Sequence, residues 1–309
     1  MVYKKPILIY NPYAGEGKSK SLLIKYIEKL NKELFANVEL LKCNLKSELV
    51  KIIKEIHFTK SNDLIISVGG DGTISSMINA LMEIPKNERI PLFPLPSGSG
   101  DSFLKEFNVR NINDAIRNFK SISSPKYSDI MLVEDVTAGT KRYCINIVGM
   151  GYVSNLAYYA ERYGRQYGSF SYFMGAIYGL KQFKSYKIKI KYKLNGKEEV
   201  YQSDKVYFLT VSNTKFTGGT VKIAPDAIFD DGIMDIIILH DINRFGFLSG
   251  YISAFRGKHI YNKGCTYLKA TDVEIEVDSD FLIMSDGDLS GSKSPLKISL
   301  YSKEIPITI

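Results

Sequence analysis

Two alternating patterns of apolar positions organise the first ~125 residues. Pro6 to Tyr10 is a short apolar run that ends in the turn residues Asn11-Pro12. Leu22, Leu23, Tyr26, Ile27, Leu30 and Leu34 then recur at helical spacing, which places them on one face of a helix. Val38 to Leu41 predicts a second strand, and Leu45, Leu49, Ile52, Ile53 and Ile56 a second amphipathic helix. Leu64 to Val68 reads as a third strand running into Gly69-Gly70, Thr73 to Met82 as a third helix, and Ile90 to Leu95 as a fourth strand. Short apolar strands separated by helices imply a parallel sheet covered on both faces. Ligands bind such sheets where strands end and loops begin.

The pattern changes after Ser123-Ser124-Pro125. In Tyr186 to Leu194, the apolar Tyr186, Ile188, Ile190, Tyr192 and Leu194 alternate with Lys187, Lys189, Lys191 and Lys193, ahead of Asn195-Gly196. That is a half-buried antiparallel strand entering a hairpin. Val206 to Val211, Ile233 to Leu239, Val273 to Val277 and Phe281 to Met284 continue the strand pattern, with a helical interruption around Ser171 to Phe183. The predicted fold class is α/β plus all-β: an N-terminal doubly wound α/β domain and a C-terminal antiparallel β-sandwich domain.

Composition narrows the picture. A length of 309 residues favours two domains. An apolar fraction of 45% with 24% charged residues excludes disorder. Lys plus Arg is 41 against 33 Asp plus Glu, a net charge of +8. That balance points to a polyanionic partner or to a plain lysine-rich surface. Cys43, Cys144 and Cys265 are scattered and odd in number, which fits a reducing compartment and excludes a thiolate zinc site. His57, His240 and His259 have no metal spacing. The apolar start is too short for a signal peptide, and no run reaches the ~20 residues of a spanning helix. A soluble, cytoplasmic protein with at most peripheral membrane contact is expected. No nucleic-acid-binding motif is visible, so nucleic acid is not an expected partner.

Three loops carry the candidate chemistry. Asn11-Pro12-Tyr13-Ala14-Gly15-Glu16-Gly17-Lys18-Ser19 is not a Walker loop, because Pro12 stands where that motif needs Gly. It is still a strand-to-helix turn with backbone N–H groups for an anion. Val68-Gly69-Gly70-Asp71-Gly72-Thr73 is more informative. Its glycines permit close backbone approach, and Thr73 is expected to cap the following helix. Asp71 would repel phosphates unless a divalent cation bridged them; a tight turn in which Asp71 caps the helix is the plainer reading. Pro94-Leu95-Pro96-Ser97-Gly98-Ser99-Gly100-Asp101-Ser102 follows the fourth strand with small and hydroxyl residues.

Together these residues resemble the diacylglycerol kinase catalytic-domain family, which includes soluble bacterial diacylglycerol kinases and is related to sphingosine and ceramide kinases. The resemblance runs through Asn-Pro-x-x-Gly, Gly-Gly-Asp-Gly-Thr and Pro-x-Gly-Ser-Gly. It continues at Ala224-Pro225-Asp226-Ala227, at Asp230-Asp231-Gly232-Ile233-Met234-Asp235 and at Asp286-Gly287-Asp288. Gly-Gly-Asp-Gly-Thr alone is shared with NAD kinases; the further motifs, in order, favour a lipid kinase.

The resemblance implies an ATP-binding domain at 1–128, with 296–309 returning to it, and a β-rich lipid-acceptor domain at 129–295. It implies ATP contacts at Asn11, Pro12, Gly15, Gly70, Asp71, Gly72, Thr73, Gly98 and Ser99. It implies Asp71 and Asp129 around a catalytic Mg²⁺, Asp288 as general base, and a structural Mg²⁺ at Asp231 with backbone carbonyls near Ile228 and Ile233. A lipid substrate at a membrane surface is the implied partner, with diacylglycerol the default acceptor, and a homodimer is compatible. Three departures stand out: Asp288 in place of the usual Glu, Asp101-Ser102 in place of Asn or Asn-Asp, and Ser75-Ser76 in place of Asn-Glu. A sphingoid-base kinase, an NAD kinase-like enzyme and a non-catalytic nucleotide- or lipid-binding protein stay open as alternatives. The aromatic stretch Tyr167 to Phe183 reads as a core helix or an acyl-chain cleft. The lysine ladder, with Lys184 and Lys197, reads as a solvated face or a membrane contact.

Overall fold

The computed structural model describes residues 3–11, 18–44, 46–97, 101–164 and 183–309. The chain divides into two compact units: Met1–Asp129 with Lys303–Ile309, and Ile130–Ser302.

In the first unit, β1 (Pro6–Tyr10), β2 (Glu39–Lys42), β3 (Leu64–Val68) and β4 (Leu92–Leu95) lie side by side in the order β4-β3-β1-β2. All three pairings are parallel. The central strands β3 and β4 are buried at every position, because helices cover such a sheet on both sides. β2 is the edge strand and keeps Glu39 and Lys42 exposed. The helices are α1 (Lys18–Glu33), α2 (Lys46–Thr59), α3 (Asp71–Leu81), the single turn α4 (Ser102–Lys105) and α5 (Ile112–Ser121). α1 packs beside α5, and α2 beside α3. Leu23, Tyr26 and Leu30 of α1 are buried, as their spacing required.

The second unit is antiparallel. Its strands are the continuation of β5 (Lys126–Asp135), β6 (Thr140–Cys144), β7 (Ile147–Gly151), β8 (Tyr186–Leu194), β9 (Lys197–Ser212), β10 (Phe216–Thr217) and β11 (Val221–Lys222). They are followed by β12 (Met234–His240), β13 (Cys265–Ala270), β14 (Asp272–Val277), β15 (Phe281–Ser285), β16 (Asp288–Ser292) and the start of β17 (Leu296–Ile307). The long β9 pairs with β7, β8 and β12. Strand alternation divides two cores. Ile236 and Ile238 of β12 join Ile190, Leu209 and Val211 on one face. Ile237 and Leu239 join Phe208, Tyr152 and Phe247 on the other. Tyr152 and Phe247 belong to α6 (Tyr152–Gly164) and α7 (Arg244–Ala254), two helices that the strand pattern did not predict. The helix expected around Ser171 lies outside the described residues, apart from Phe183.

The alternation in β8 has the expected outcome for its apolar side: Ile188 and Ile190 are buried. Its lysines are not a bare cationic face. Lys187 pairs with Asp204 at 3.1 Å, Lys191 with Glu274 and Glu276 at 2.9 and 2.7 Å, and Lys193 with Glu198 at 3.7 Å. Lys189 also reaches Glu276, at 3.8 Å. Neighbouring strands supply the acids, which sequence alternation within one strand cannot reveal.

The last strand serves both units in turn. Leu296 and Ile298 lie in the core of the second unit. Ile305, Ile307 and Ile309 are buried in the first, where Ile307 pairs in parallel with Leu92. Glu304, itself buried, receives the guanidinium of Arg89 and the ammonium of Lys86. The Arg89 side chain also donates to the carbonyls of Ile84 and Glu304, at 2.9 and 3.0 Å.

Candidate functional site

The loop after β3 is built around Asp71. The helix starts earlier than expected, at Asp71 itself, so Thr73 lies within its first turn and does not cap it. Gly70 is the N-cap, with extended φ and no side-chain hydrogen bond to the helix end. Thr73 packs instead against Gly69: a Cβ on Gly69 would come within 2.1 Å of the Thr73 hydroxyl. That contact requires glycine at 69. Gly70 and Gly72 are different. A Cβ on Gly72 would meet nothing within 4 Å, and one on Gly70 only Asp101 Oδ1 at 3.8 Å. Among the described residues, internal packing therefore does not demand glycine at these two positions, and the N–H groups of a helix N-terminus are donors suited to an anion.

The Asp71 carboxylate is fixed by the next loop. Its Oδ2 accepts the backbone N–H of Ser102 at 3.0 Å, and Oδ1 that of Phe103 at 3.1 Å. It thus satisfies the N-terminus of α4, the helix that follows β4, and not its own. A carboxylate has about four lone-pair sites, so two bonds leave acceptor capacity. Asp101, buried with φ +26°, precedes α4. Lys105, half-buried at the other end of that turn, feels opposing influences: burial lowers its pKa, while the carboxylates of Asp101 and Asp71 push it up, leaving a net lowering. The sequence reading passed over Lys105; its position four residues after Asp101 was the available signal. Tyr26 of α1 donates its hydroxyl to the Pro96 carbonyl at 2.6 Å, and burial pushes its pKa up to about 12. It ties α1 to the start of the third loop. Asn11 is half-buried at the end of β1. Pro12, Gly15, Gly98 and Ser99 lie outside the described residues. Asp129 is fully buried and accepts the N–H of Lys303 at 2.7 Å, which anchors the returning end of β17.

In the second unit, Asp286 and Gly287 form a two-residue turn with φ of +49° and +91°. Both positive values match a primed hairpin turn, for which Asp-Gly is a favoured pair. The two acids of Asp286-Gly287-Asp288 have opposite surroundings. Asp286 is buried. It accepts backbone N–H groups from Ile145 and Asn146 at 2.8 Å and from Ile147 at 3.1 Å, plus the Cys144 thiol at 2.9 Å. Burial raises its pKa, against the lowering effect of those donors. Burial likewise pushes the Cys144 thiol well up, with the Asp286 charge adding to it. Asp288 is half-exposed and ion-paired with Arg142 of β6. Sequence reading named Asp288 but missed Arg142 and the buried role of Asp286, because their partners come from β6 and the segment joining it to β7, about 140–146 residues earlier in the chain.

Asp231 Oδ1 accepts the N–H of Ile233 at 3.0 Å, closing the turn before β12. The nearby Ile228 side chain is exposed. Among the described residues, no group of three or more His, Cys, Asp or Glu converges on one point. A cavity of about 620 Å³ is lined by Asp135, Asn155, Tyr186, Phe281, Leu282 and Ser292 among others. It lies at the far end of the β15–β16 hairpin: Phe281 pairs with Ser292 there, while Ser285 pairs with Asp288 at the turn. Four residues of strand separate the two ends by ~13 Å. Among the described residues no helix is long and apolar enough to cross a membrane.

Residues 5–133 match the diacylglycerol kinase catalytic domain. Residues 146–308 match the YegS C-terminal NAD kinase beta sandwich-like domain. A diacylglycerol kinase from Bacillus subtilis (strain 168) is 27% identical over 300 residues, covering 96% of this chain and 94% of its own. One from Staphylococcus saprophyticus subsp. saprophyticus is 25% identical over 289 residues, covering 93% and 90%. A crystal structure of a diacylglycerol kinase from Bacillus anthracis str. Sterne superposes with a TM-score of 0.71 at 22% identity, covering 100% of this chain and 97% of its own. That last likeness concerns the fold.

Proposed function

The chain belongs to the diacylglycerol kinase family of lipid kinases, phosphotransferases with an alcohol group as acceptor, and from that premise we propose that it transfers the γ-phosphoryl group of ATP to the hydroxyl of diacylglycerol, giving phosphatidic acid. The observation that carries the nucleotide half of this reading is the N-terminus of α3. It is capped by no side chain, is flanked by glycines that internal packing does not require, and carries Asp71 held by two backbone N–H groups. Backbone donors there suit phosphate oxygens. Carboxylate oxygen is the donor class Mg²⁺ prefers, so Asp71 and Asp129 are the residues we assign to a catalytic Mg²⁺. The ion supplies charge neutralisation on the phosphates. Asn11, Pro12, Gly15, Gly70, Gly72, Thr73, Gly98 and Ser99 are assigned to ATP on the same reading. Asp231, with the carbonyls of Ile228 and Ile233, is assigned to a second, structural Mg²⁺.

The acceptor half rests on Asp288. A carboxylate that accepts the proton of the lipid hydroxyl activates it for attack on the γ-phosphorus as the bond to the β-phosphate breaks. Arg142 fixes the orientation of that carboxylate. The first unit, 1–129 with 303–309, is proposed as the ATP-binding part and 130–302 as the lipid-acceptor part; the returning segment begins at Lys303 and not at 296, because Leu296 and Ile298 pack in the core of the second unit.

The test is a radiolabelled-ATP assay with diacylglycerol in mixed micelles. Asp288→Asn and Asp71→Asn are each expected to lower transfer by about 10²–10⁴-fold, with an unchanged thermal midpoint for Asp288→Asn. Full activity in either variant removes that residue from its assigned role. Phosphorylation of NAD, with no labelled lipid from a total membrane extract, would overturn the lipid-kinase reading itself.

A further inference from the structure

The cations of this protein are not equivalent. The β8 lysines are matched with acids from neighbouring strands. Around α7 the situation is reversed. From Ile242 to Thr271 the chain contains no Asp or Glu, yet it carries Arg244, Arg256, Lys258, Lys263 and Lys269. Lys269 is committed to the buried Asp235. Arg244, Arg256, Lys258 and Lys263 are exposed.

The helix between these cations is apolar on two sides. One side anchors it: Phe247, Gly250 and Ala254 are buried, and the Phe247 ring packs on Tyr152 and Phe183 at 4.2 and 5.4 Å between centroids. The other side carries Phe245, Leu248, Ile252 and Phe255, which are 84%, 40%, 64% and 45% exposed. Their spacing of three, four and three residues confines them to ~80° of the helix circumference. Tyr261, 81% exposed, stands in the short turn His259–Tyr261 that follows the helix. Scattered exposed apolar residues need no explanation, but a contiguous stripe marks an interaction site. The buried side accounts for the fold; among the described residues no element covers the outer one.

We propose that the outer face of α7 is a membrane-docking surface for an anionic lipid bilayer, with Phe245, Leu248, Ile252 and Phe255 entering the interface and Arg244, Arg256, Lys258 and Lys263 meeting the lipid phosphates. The proposal deepens the lipid-kinase reading by naming where the protein meets the surface that holds its acceptor. Charge complementarity chooses the occupant. An apolar helix face, with four exposed cations and no acid in the stretch Ile242 to Thr271 that contains it, matches an interfacial helix on anionic lipid. A second copy of the same face would set like charges against one another.

Flotation of the full chain with vesicles tests this without any catalytic readout, so its failure is separable from failure of the kinase reading. Vesicles of 30% phosphatidylglycerol in phosphatidylcholine are compared with pure phosphatidylcholine. The wild type is expected to bind the anionic vesicles at least ~10-fold better. Phe245→Ser with Ile252→Ser is expected to weaken that binding by ~10-fold or more. Arg256→Glu with Lys258→Glu should do the same at low salt and erase the preference for anionic lipid. All four positions are exposed, so thermal midpoints should not move; in micelles, where no bilayer need be found, both variants should retain transfer activity. Wild-type vesicle binding in both double variants would overturn the proposal. So would a concentration-dependent wild-type dimer, by analytical ultracentrifugation, that Phe245→Ser with Ile252→Ser converts to monomer while vesicle binding is kept; that outcome assigns the face to a second copy.

Discussion

Asp286 and Asp288 are two residues apart on one hairpin, and they do different work. Asp286 is the acceptor for the N–H groups of Ile145, Asn146 and Ile147. Removing it strands three buried donors, at roughly 1–3 kcal/mol each. Asp288 is in a half-exposed ion pair, which contributes at most ~1 kcal/mol to stability. Asp286→Ala is therefore expected to lose about 3 kcal/mol or more in urea denaturation, and Asp288→Ala about 1 or less. A similar midpoint for both variants would contradict this division. The sequence offered Asp-Gly-Asp as a motif, but no local pattern says which of its acids is interred. That is decided by the segment between β6 and β7, brought alongside by pairing of β15 with β7.

At the scale of elements, the final strand is the informative case. Its last residues, Ile305 to Ile309, are buried in the first unit, with Ile305, Ile307 and Ile309 apolar at alternate positions. Glu304 precedes that run with a buried charge, matched mainly by Arg89, whose side chain is 6% exposed. Breaking such a pair from one side leaves the partner buried and uncompensated, at ~3–5 kcal/mol; Lys86, mostly exposed, offsets part of that. Arg89→Ala is expected to destabilise the protein by about 3 kcal/mol. Arg89→Met with Glu304→Leu is expected to cost less than the single change, because no charge is then left alone. Calorimetry of the two variants decides, and a double variant no better than Arg89→Ala would refute the argument. The elements themselves were largely legible: β1, β3, β4 and β8 follow from apolar runs and strict alternation. α6 and α7 were not. α7 is apolar on two faces, so the one-sided periodicity that announces an amphipathic helix is absent.

For the whole molecule, acid is the clearest perturbation. Burial pushes Asp135 up, but N–H groups of Ala138 and Lys293, the Ser292 hydroxyl and Thr137 outweigh it, so its pKa ends below the ordinary 3.8. Hydrogen bonds from Lys191 draw Glu274 and Glu276 below the ordinary 4.5. A carboxylate whose folded pKa is depressed contributes stability above its ordinary value and loses it as pH falls through the depressed one. Asp286, with its pKa raised, works in the opposite sense: its contribution fades as pH rises above 3.8. Stability measured by urea from pH 7 downward is expected to decline below about 4.5, the ordinary glutamate value. Asp135→Asn should decline less steeply below 3.8, although it starts from a lower plateau. An unchanged slope in that variant would remove Asp135 from this account. The net charge of +8 belongs to this scale too. The cations are unevenly paired: those of β8 have acidic partners, whereas among the described residues Arg244, Arg256, Lys258 and Lys263 are exposed and join no ion pair.

The sequence by itself determined the two-part architecture, the order of the first four strands and their helices, and the three loops in which phosphate chemistry is sought. These follow from local periodicity and from residue types whose meaning is local: glycine, proline and an acid beside a helix start. Tertiary structure alone decided which acid is buried and which is exposed, that Asp71 serves α4, that the β8 lysines have acidic partners, and that one of the two apolar faces of α7 is exposed. Each of those outcomes depends on residues tens to hundreds of positions apart, brought together by strand pairing and packing, and no periodicity along the chain encodes them.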